Sequence, residues 1–323
     1  MNRRRTWLAA GAALLAAQMA PARAQAPARQ LRILVPFAPG GPADTLARAL
    51  AERLAPVLAG TRVFVDNKPG GGTVIATQAA LAAPADGQTL LLVAASFVVQ
   101  PQLLARPPYD MARDFVPLTL AATNPHLLVV HPDVPAANLQ EFIAWARAQR
   151  GAGTYASFGN GSSGHLGFER FKKAAGIALV HVPYKGGSPA MQDLLGGQVS
   201  AMLTDLPQAL PHVRSGRLKA IAVAAPQRDA ALPGVPTFGE AGLAGFESHS
   251  WFGFAVRTGT APDSVRQLAT ALHAALHDPA TRASLESTGL DLQGSTPQAF
   301  RDFLAREAAR TAEAIKAAGI RPE

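Results

Sequence analysis

Cysteine is absent from the 323 residues of this sequence. The absence excludes a disulfide framework, a zinc site built from thiolates and a lipid anchor attached through cysteine. After the first 24 residues, no segment is long and apolar enough to span a bilayer, and no run of basic residues occurs. The chain is nevertheless long enough for two domains with their own hydrophobic cores.

The first 24 residues have the pattern of a secretory signal peptide. Residues 3–5 are arginines, residues 7–20 are largely apolar, and Ala22-Arg23-Ala24 matches the small-x-small cleavage pattern. We expect cleavage after Ala24, so that the exported chain begins at Gln25; a retained anchor is disfavoured because the apolar run is short. Removal of this segment takes away four arginines and no acidic residue, which lowers the formal net charge from +8 to +4. A mildly positive exported protein suits a small anionic ligand, and no nucleic-acid partner is predicted.

A buried strand, a glycine-rich turn and an amphipathic helix are predicted from residue 31 onward. The apolar run 31–37 indicates the strand, Gly40 and Gly41 allow a tight turn, and Pro42 suits the first position of a helix. The helix is indicated by leucines at four-residue spacing, namely Leu46, Leu50, Leu54 and Leu58. Such a turn directs free backbone N–H groups and the positive end of a helix dipole towards one point, where an anion is favoured. A tight turn without a ligand remains the alternative.

Strand and helix patterns alternate along most of the chain. Residues 62–66 and 89–95 predict two further strands, separated by a second glycine-rich turn at 68–73 and a short helix at 74–83. The middle of the chain repeats this alternation, and the final third returns to long helices. The pattern predicts an α/β protein in which helices cover a mostly parallel sheet. The apolar stretch 118–130 is interrupted at Asn124-Pro125, so we expect it to bend where it passes between domains.

Residues 159–164, Gly-Asn-Gly-Ser-Ser-Gly, match the G-x-G-x-x-G pattern between a predicted strand and a helix predicted to begin at His165. A dinucleotide site requires an acidic residue at the end of the next strand, about 20 residues further on. That strand ends with residues 181–185, which contain neither aspartate nor glutamate. A helix N-terminus can instead hold a carboxylate through N–H and hydroxyl donors, and a solvated turn remains the alternative. The polar side chains available here are Ser157, Asn160, Ser162 and Ser163.

The sequence predicts no catalytic residues, no metal site and no cofactor. No serine has glycines two positions before and after it, so the nucleophile elbow of a serine hydrolase is missing. His273 and His277 have the spacing of a zinc-binding pair, but Ala274 replaces the glutamate of the H-E-x-x-H motif. Asp44 and Asp205 each stand where a predicted strand leads into a helix, either as helix caps or as acceptors for a ligand hydroxyl or ammonium group. In the second role they would repel a bare carboxylate.

Short motifs recur in a fixed order along nearly the whole exported chain. They include VPFAPGGPAD at 35–44, DNKPGGGT at 66–73, YASFGNGSSGHL at 155–166, HVPYKG at 181–186 and SWFG at 250–253. Each motif is weak by itself, but the ordered set is specific. On these motifs the chain resembles the Bug family, the TctC-like solute-binding proteins of tripartite tricarboxylate transporters.

The resemblance implies a two-domain periplasmic binding protein fold of type II-like architecture, with a ligand cleft between two Rossmann-like α/β lobes. The first domain would comprise residues 25–124 and 249–323, and the second residues 125–248. The ligand would be a small organic acid, either a di- or tricarboxylate or an acidic amino acid. The implied ligand-binding residues are Phe37, Ala38, Gly40, Gly41, Asp44, Ser96, Ser157, Asn160, Gly161, Ser162, His165 and Asp205.

We therefore predict a monomeric periplasmic protein that closes its domains around a carboxylate and delivers it to the membrane components of a tripartite tricarboxylate transporter. In the family, the loop that matches residues 37–44 holds a ligand carboxylate through backbone groups and ordered waters. No chemical reaction is predicted. Two alternatives stay open: an exported hydrolase-type enzyme, for which the sequence offers no nucleophile–base pair, and a sensor or scaffold protein on the same fold.

Overall fold

The structure is a computed structural model that describes residues 30–58 and 60–317. The predicted signal peptide and its cleavage site lie outside the described residues. Within the two described ranges, no helix is both long enough and apolar enough to cross a membrane.

Strands and helices alternate along most of the chain, which confirms the predicted α/β class. The strands are β1 (Gln30–Val35), β2 (Arg62–Asn67), β3 (Thr89–Val93), β4 (Phe115–Val130), β5 (Thr154–Ser157), β6 (Val180–Pro183), β7 (Ala201–Asp205), β8 (Lys219–Val223), β9 (His249–Arg257) and β10 (Asp291–Leu292). The helices are α1 (Pro42–Val57), α2 (Val74–Ala82), α3 (Ala95–Leu103), α4 (Met111–Asp114), α5 (Leu139–Ala148), α6 (Ser163–Ala175), α7 (Gly187–Leu195), α8 (Leu206–Arg214), α9 (Pro262–His277), α10 (Pro279–Glu286) and α11 (Pro297–Ala317).

The strands form a continuous sheet in the order β2-β1-β3-β9-β4-β7-β5-β6, with β8 and β10 as further partners of β4. β1 is parallel to β2 and β3, and β5 is parallel to β6 and β7, whereas β4 and β9 run antiparallel to their neighbours. We call β1–β3, β9, β10 and β4 up to Pro125, with helices α1–α4 and α9–α11, the first lobe. The second lobe comprises β5–β8, the rest of β4 and helices α5–α8.

Helices cover both faces of the first-lobe sheet. The core between the sheet and helices α1, α9 and α10 contains the predicted leucine stripe of α1, fully buried at Leu46, Leu50 and Leu54. The core on the opposite face, beneath α2, α3 and α11, contains Phe97, Trp251 and Phe300. Each helix buries its apolar face against the sheet, so the loops at the strand ends are fixed by two cores.

The second lobe is also covered on both faces. Along the second half of β4, Leu128 and Val130 enter the core under α5 and α6. Leu127 and Val129 enter the core under α7 and α8. Successive side chains of a strand point to opposite faces, so this uninterrupted apolar run is what a strand buried on both sides requires.

β4 is one continuous strand from Phe115 to Val130 that passes from the first lobe to the second at Asn124-Pro125, and the bend expected there stays a prediction. The N–H of His126 donates at 3.0 Å to the backbone oxygen of Ser248, just before β9, so position 125 faces the opposite edge of the strand. At that edge the neighbour of β4 changes from β10 to β7. Pro125, which has no N–H group, therefore lies between the two partner strands on that edge, and no hydrogen bond of the sheet is lost.

The domain boundaries at 124/125 and 248/249 stay a prediction, which the strand pairing supports. β4 pairs with β9 and β10 up to Pro125, and with β7 and β8 from His126 onward. The two crossing segments lie side by side, since Pro125 pairs with His249. Two paired strands that connect two lobes are suited to a hinge.

Candidate ligand-binding cleft

A cavity that is partly open to solvent lies between the two lobes. We call it the proximal chamber. Aromatic rings, small residues and neutral polar groups make up most of its wall. The lining residues are Phe37, Gly41, Pro42, Ala43, Ala94, Ala95, Ser96, Phe158, Ser162, Ser163, Gly187, Asp205, Gln208, Ser250 and Phe252.

Five helices begin at the proximal chamber. Residues at the cap or in the first turn of α1, α3, α6, α7 and α8 all line it. The positive dipole ends of five helices therefore border one volume. Among the described residues that line the chamber there is no lysine or arginine, and Asp205 is the one charged side chain. A chamber of this kind can hold an anion through backbone N–H and hydroxyl donors.

A second cavity, which we call the distal chamber, adjoins the first. It is also partly open to solvent and shares Phe37, Ser96 and Phe158 with the proximal chamber. Of the described residues in its wall, Lys185 is the one with a charged side chain. The remaining lining residues are Pro36, Gly70, Gly71, Gly72, Thr73, Gln100, Gly159, Asn160, Pro183 and Tyr184. The cleft thus has a basic group in its distal chamber and an acidic group in its proximal chamber.

Asp44 holds the first-lobe loop, residues 37–44. Its Oδ2 accepts from Gly40 N–H at 3.0 Å and from Arg48 Nε at 2.9 Å, and its Oδ1 accepts from Asn67 Nδ2 at 2.9 Å. Asn67 Nδ2 also donates to Phe37 O at 3.1 Å. Burial raises the pKa of Asp44, but the hydrogen bonds from Arg48, Gly40 and Asn67 outweigh burial and hold the pKa below its ordinary value. Both carboxylate oxygens are engaged within the lobe.

Two stacked histidines hold the second-lobe loop, residues 157–165. Ser157 Oγ lies 2.7 Å from His181 Nε2 and accepts from Gly159 N–H at 3.1 Å. His165 Nδ1 accepts from Gly161 N–H at 3.2 Å, and the His165 and His181 ring centroids are 4.0 Å apart. Burial lowers the pKa of His165, and burial together with nearby His165 lowers the pKa of His181 to about 4. The loop is therefore built around neutral imidazoles.

The Ser157–His181 pair does not form a hydrolase site. Ser157 is completely buried and lines neither chamber. Across the described residues, no carboxylate hydrogen-bonds to His181. The neighbouring Glu169 instead accepts from the Tyr155 hydroxyl and from Lys172. The pair lacks both substrate access and the third group that orients a catalytic histidine.

A buried polar network joins the crossing strands to the proximal chamber. Asn124 Nδ2 donates to Asp205 Oδ1 at 2.8 Å, and His126 Nε2 lies 3.5 Å from the same oxygen. The fully buried His126 ring also hydrogen-bonds to Ser248 Oγ and Ser250 Oγ, both at 2.9 Å. Because Asp205 and Ser250 line the chamber, the network connects the ligand volume to β4 and β9 at the point where they cross between lobes.

The lobes touch across the mouth of the cleft. Ala38 N–H donates to Lys185 O at 3.0 Å, and Gln100 Nε2 on α3 donates to Asn160 O at 2.9 Å. The Gln100 amide lies so close to Gly72 that a Cβ there would come within 2.0 Å of Nε2. Gly72 also has a φ of +57°, in the left-handed region that favours glycine. The structure thus has the two lobes in contact around the chambers.

Five of the twelve predicted site residues line the proximal chamber: Phe37, Gly41, Ser96, Ser162 and Asp205. A sixth, Asn160, lines the distal chamber. The other six line neither chamber: Ala38, Gly40, Asp44, Ser157, Gly161 and His165. These six support the two loops or their contact across the cleft, and direct contact between any of them and a ligand stays a prediction.

Sequence reasoning misses Gln208, Ser250 and Phe252. Gln208 lies three residues after Asp205 in the first turn of α8, so the helix spacing contains a signal for it. Ser250 and Phe252 lie two residues apart on β9, and strand alternation places both on one face. Nothing in the local sequence indicates that this face meets α6, which begins almost 90 residues earlier.

The rings of His273 and His277 contact backbone carbonyls: their Nδ1 atoms lie 3.0 Å from Gly294 O and 2.8 Å from His273 O, respectively. Over residues 30–58 and 60–317, no group of three or more histidine, aspartate or glutamate side chains is arranged to hold a metal ion.

The two lobes, the paired crossing strands and the cleft define a two-domain periplasmic binding protein fold. The solved structure of the periplasmic binding protein BugD has a TM-score of 0.87 to this chain at 34% identity, over 92% of this chain and 100% of that chain. The R. palustris protein Rpa4515, solved with adipate, has a TM-score of 0.86 at 33% identity, over 92% and 99% of the two chains. The predicted fold is confirmed.

Residues 46–320 match the model of the tripartite tricarboxylate transporter family receptor, TctC, and the chain belongs to this family. BugT of Bordetella pertussis is 36% identical over 297 residues, which cover 91% of each chain. The family and its structural neighbours are periplasmic binding or receptor proteins and not enzymes. The chain is thus a periplasmic solute-binding protein, as the motifs predict.

Proposed function

We propose that the protein captures a small organic carboxylate in the proximal chamber and delivers it to the membrane components of a tripartite tricarboxylate transporter. The observation that carries this proposal is the convergence of five helix N-termini on a chamber without lysine or arginine. A carboxylate is an anion that such N–H groups bind without a cationic side chain. The adipate in Rpa4515, a dicarboxylate in a related protein, supports the same ligand class.

Domain closure would complete the site. Helices α1 and α3 belong to the first lobe, and α6, α7 and α8 to the second, so neither lobe alone surrounds the ligand. Closure would bring the two sets of N–H groups together around the anion, with bending at β4 and β9. The Ala38–Lys185 and Gln100–Asn160 hydrogen bonds join the lobes and would form only on closure.

In this proposal, residues 1–24 direct export and are then removed, and the chain acts in the periplasm as a monomer of two domains, residues 25–124 with 249–323 and residues 125–248. Intact-mass analysis and N-terminal sequencing of the protein from periplasmic extract test the export step. An N-terminus at Gln25 would support it. Residues 1–24 still attached to the periplasmic protein would contradict it.

A thermal-shift screen tests the binding function. The protein is first denatured and refolded to remove bound ligand, and is then titrated with mono-, di- and tricarboxylates and acidic amino acids. At least one carboxylate should raise the melting temperature, and the increase should grow with ligand concentration. A complete absence of stabilisation across the panel would contradict carboxylate binding.

Gly41→Phe and Gly234→Phe form a matched pair for the same screen. Gly41 lines the proximal chamber and has ordinary backbone angles, so the new ring would occupy the ligand volume. Gly234 is exposed, and a Cβ there would meet no atom within 4 Å. We expect Gly41→Phe to abolish the ligand-induced shift while the unliganded melting temperature changes little. Gly234→Phe should respond like the parent protein, and an equal response of Gly41→Phe would place the ligand elsewhere.

A further inference from the structure

Asp205 lies at the N-cap position of α8, but its side chain does not cap the helix. The side chain makes no hydrogen bond to the first turn of α8. Asp278, the N-cap residue of α10, shows the usual arrangement, in which the carboxylate accepts from Thr281 N–H at 2.8 Å. Helix capping therefore does not account for the carboxylate of Asp205.

The carboxylate of Asp205 is short of hydrogen-bond donors. Its Oδ1 accepts from Asn124, whereas Oδ2 accepts no hydrogen bond from any described residue. The residue is only 3% exposed, and it faces the proximal chamber. An ionised carboxylate accommodates about four hydrogen bonds. Oδ2 can therefore accept a donor from a ligand in the chamber.

The protein offers no substitute for that donor. No lysine or arginine in the described part of the chain lines the proximal chamber. Gln208, in the first turn of the same helix, makes no side-chain hydrogen bond to the described residues, and its buried Oε1 is unpartnered. His126 lies 3.5 Å from Oδ1 and uses both ring nitrogens on Ser248 and Ser250. The open oxygen of Asp205 is therefore left to the ligand.

We infer that the proximal chamber selects carboxylates that carry a hydrogen-bond donor on the carbon next to the carboxylate. An ammonium group is preferred over a hydroxyl group. Asp205 is the residue that accepts the hydrogen bond from this donor. This inference rests on the proposed function. The helix N-termini supply the positive field for the carboxylate, and Asp205 supplies the negative charge for the donor. An acid without such a donor would contact the same N–H groups, but it would leave Asp205 unpaired, and its carboxylate would be repelled by the charge of Asp205.

Three series of acids that differ in one substituent test the inference. Each series keeps one carbon skeleton and places hydrogen, hydroxyl or ammonium at the carbon next to a carboxylate: propionate, lactate and alanine; succinate, malate and aspartate; glutarate, 2-hydroxyglutarate and glutamate. Affinities are measured by titration calorimetry on the refolded full chain. Within the skeleton that binds, we expect the ammonium form to bind at least about tenfold tighter than the unsubstituted form, with the hydroxyl form between them.

The variant Asp205→Asn keeps an acceptor for Asn124 and removes the charge. We expect it to reduce the ratio of ammonium-form to unsubstituted-form affinity to near one, mainly by weakening the ammonium form. Asp133→Asn is the matched control, since the Asp133 side chain is 91% exposed on the same lobe, and it should keep the parent ratio.

Two results would overturn the inference and leave carboxylate binding intact. One is an unsubstituted acid that binds the parent protein as tightly as its ammonium form. The other is an Asp205→Asn variant that keeps the parent ratio. If none of the nine acids binds, the inference fails, and a similarly negative result in the thermal-shift screen would reject the proposed function as well.

Discussion

Asp44 and Asp205 are buried acidic residues near the start of a helix, one in each lobe, and the protein uses them in different ways. Asp44 is the third residue of α1 and Asp205 is the N-cap residue of α8; the first turn of each helix borders the proximal chamber, and each aspartate is 3% exposed. Asp44 accepts from Gly40, Arg48 and Asn67, so that both of its oxygens are engaged. Asp205 accepts one hydrogen bond from the described residues, that of Asn124.

The difference shows that the position of a carboxylate beside a ligand chamber does not define its role. What matters is whether the lobe itself supplies the donors. Asp44 receives donors from its own loop, its own helix and β2, so it fixes backbone geometry. Asp205 receives too few donors and keeps an oxygen open to the chamber. The first carboxylate therefore contributes to folding stability, and the second is available for a ligand.

The largest expected effect on stability is that of Asp44→Asn. An amide at this position loses the charged pair with Arg48 and turns an NH2 group towards donors, so we expect the free energy of unfolding to fall by about 2–3 kcal/mol. Urea denaturation at neutral pH measures this change. A loss below about 0.5 kcal/mol would show that the network around Asp44 is not what fixes the first-lobe loop.

Acid should affect the two cleft loops in separate pH ranges. His181 in the unfolded chain takes up a proton near pH 6.5, whereas in the folded chain its pKa is lowered to about 4. The unfolded state therefore binds more protons between these values, and the free energy of unfolding should fall as the pH drops from 6.5 towards 4. The folded pKa of Asp44 is also lowered, but because hydrogen bonds favour its charged form, and its contribution to the free energy of unfolding is lost only as the pH falls below 3.8.

Urea denaturation of the parent protein and of His181→Gln across this range separates the two loops. Ser157, His165, Glu169 and Lys172 remain around position 181 in the variant. We expect a flatter pH dependence between 6.5 and 4 for His181→Gln, because one group with a lowered pKa is gone. An unchanged slope would show that the neutral His181 ring is not linked to folding.

Gln100→Ala should weaken ligand binding by a smaller amount. The substitution removes the hydrogen bond from α3 to Asn160 O, which joins the lobes, and such a bond contributes about 1 kcal/mol, or about fivefold in affinity. In stopped-flow measurements, we expect the ligand dissociation rate to rise and the association rate to change little. Gln102→Ala is the matched control, because Gln102 donates to Val98 O and Ala308 O within the first lobe. Equal effects of the two substitutions would contradict a role of Gln100 in closure.

The smallest expected effect on stability is that of Asp205→Asn. Asn124 keeps its acceptor and a poorly paired buried charge is removed, so we expect a change within about 0.5 kcal/mol, in either direction. The same urea denaturation as for Asp44→Asn gives the comparison directly. A loss as large as that of Asp44→Asn would show that Asp205 is a structural residue, and the contrast between the two aspartates would fail.

The sequence predicts the local units well, because their signals are local. The leucine stripe of α1 and the turn at Gly40 and Gly41 follow from spacing and from the conformational freedom of glycine. Ser96, which lines the proximal chamber, follows only from the resemblance to the Bug family. The strand–turn–helix pattern also indicates that helix N-termini gather at one edge of each lobe.

Long-range pairing decides the rest, and the sequence holds no local signal for it. In the sequence, Asp44 and Asp205 have similar surroundings. Their roles differ because of distant residues: Asn67 donates to Asp44, and Asn124 donates to Asp205. Ser250 reaches the chamber because β9 returns to cross between the lobes beside β4. The stacking of His165 on His181 likewise depends on packing between α6 and β6.

The most direct test of the chamber as an anion site compares a bound acid with its amide, which has similar size and no charge. Titration calorimetry on the refolded full chain measures both. We expect the acid to bind saturably with one molecule per chain, and the amide to bind at least about a hundredfold more weakly, because converging N–H groups favour a full negative charge. Equal affinity for acid and amide would contradict the central claim that helix N-termini make this cleft a carboxylate site.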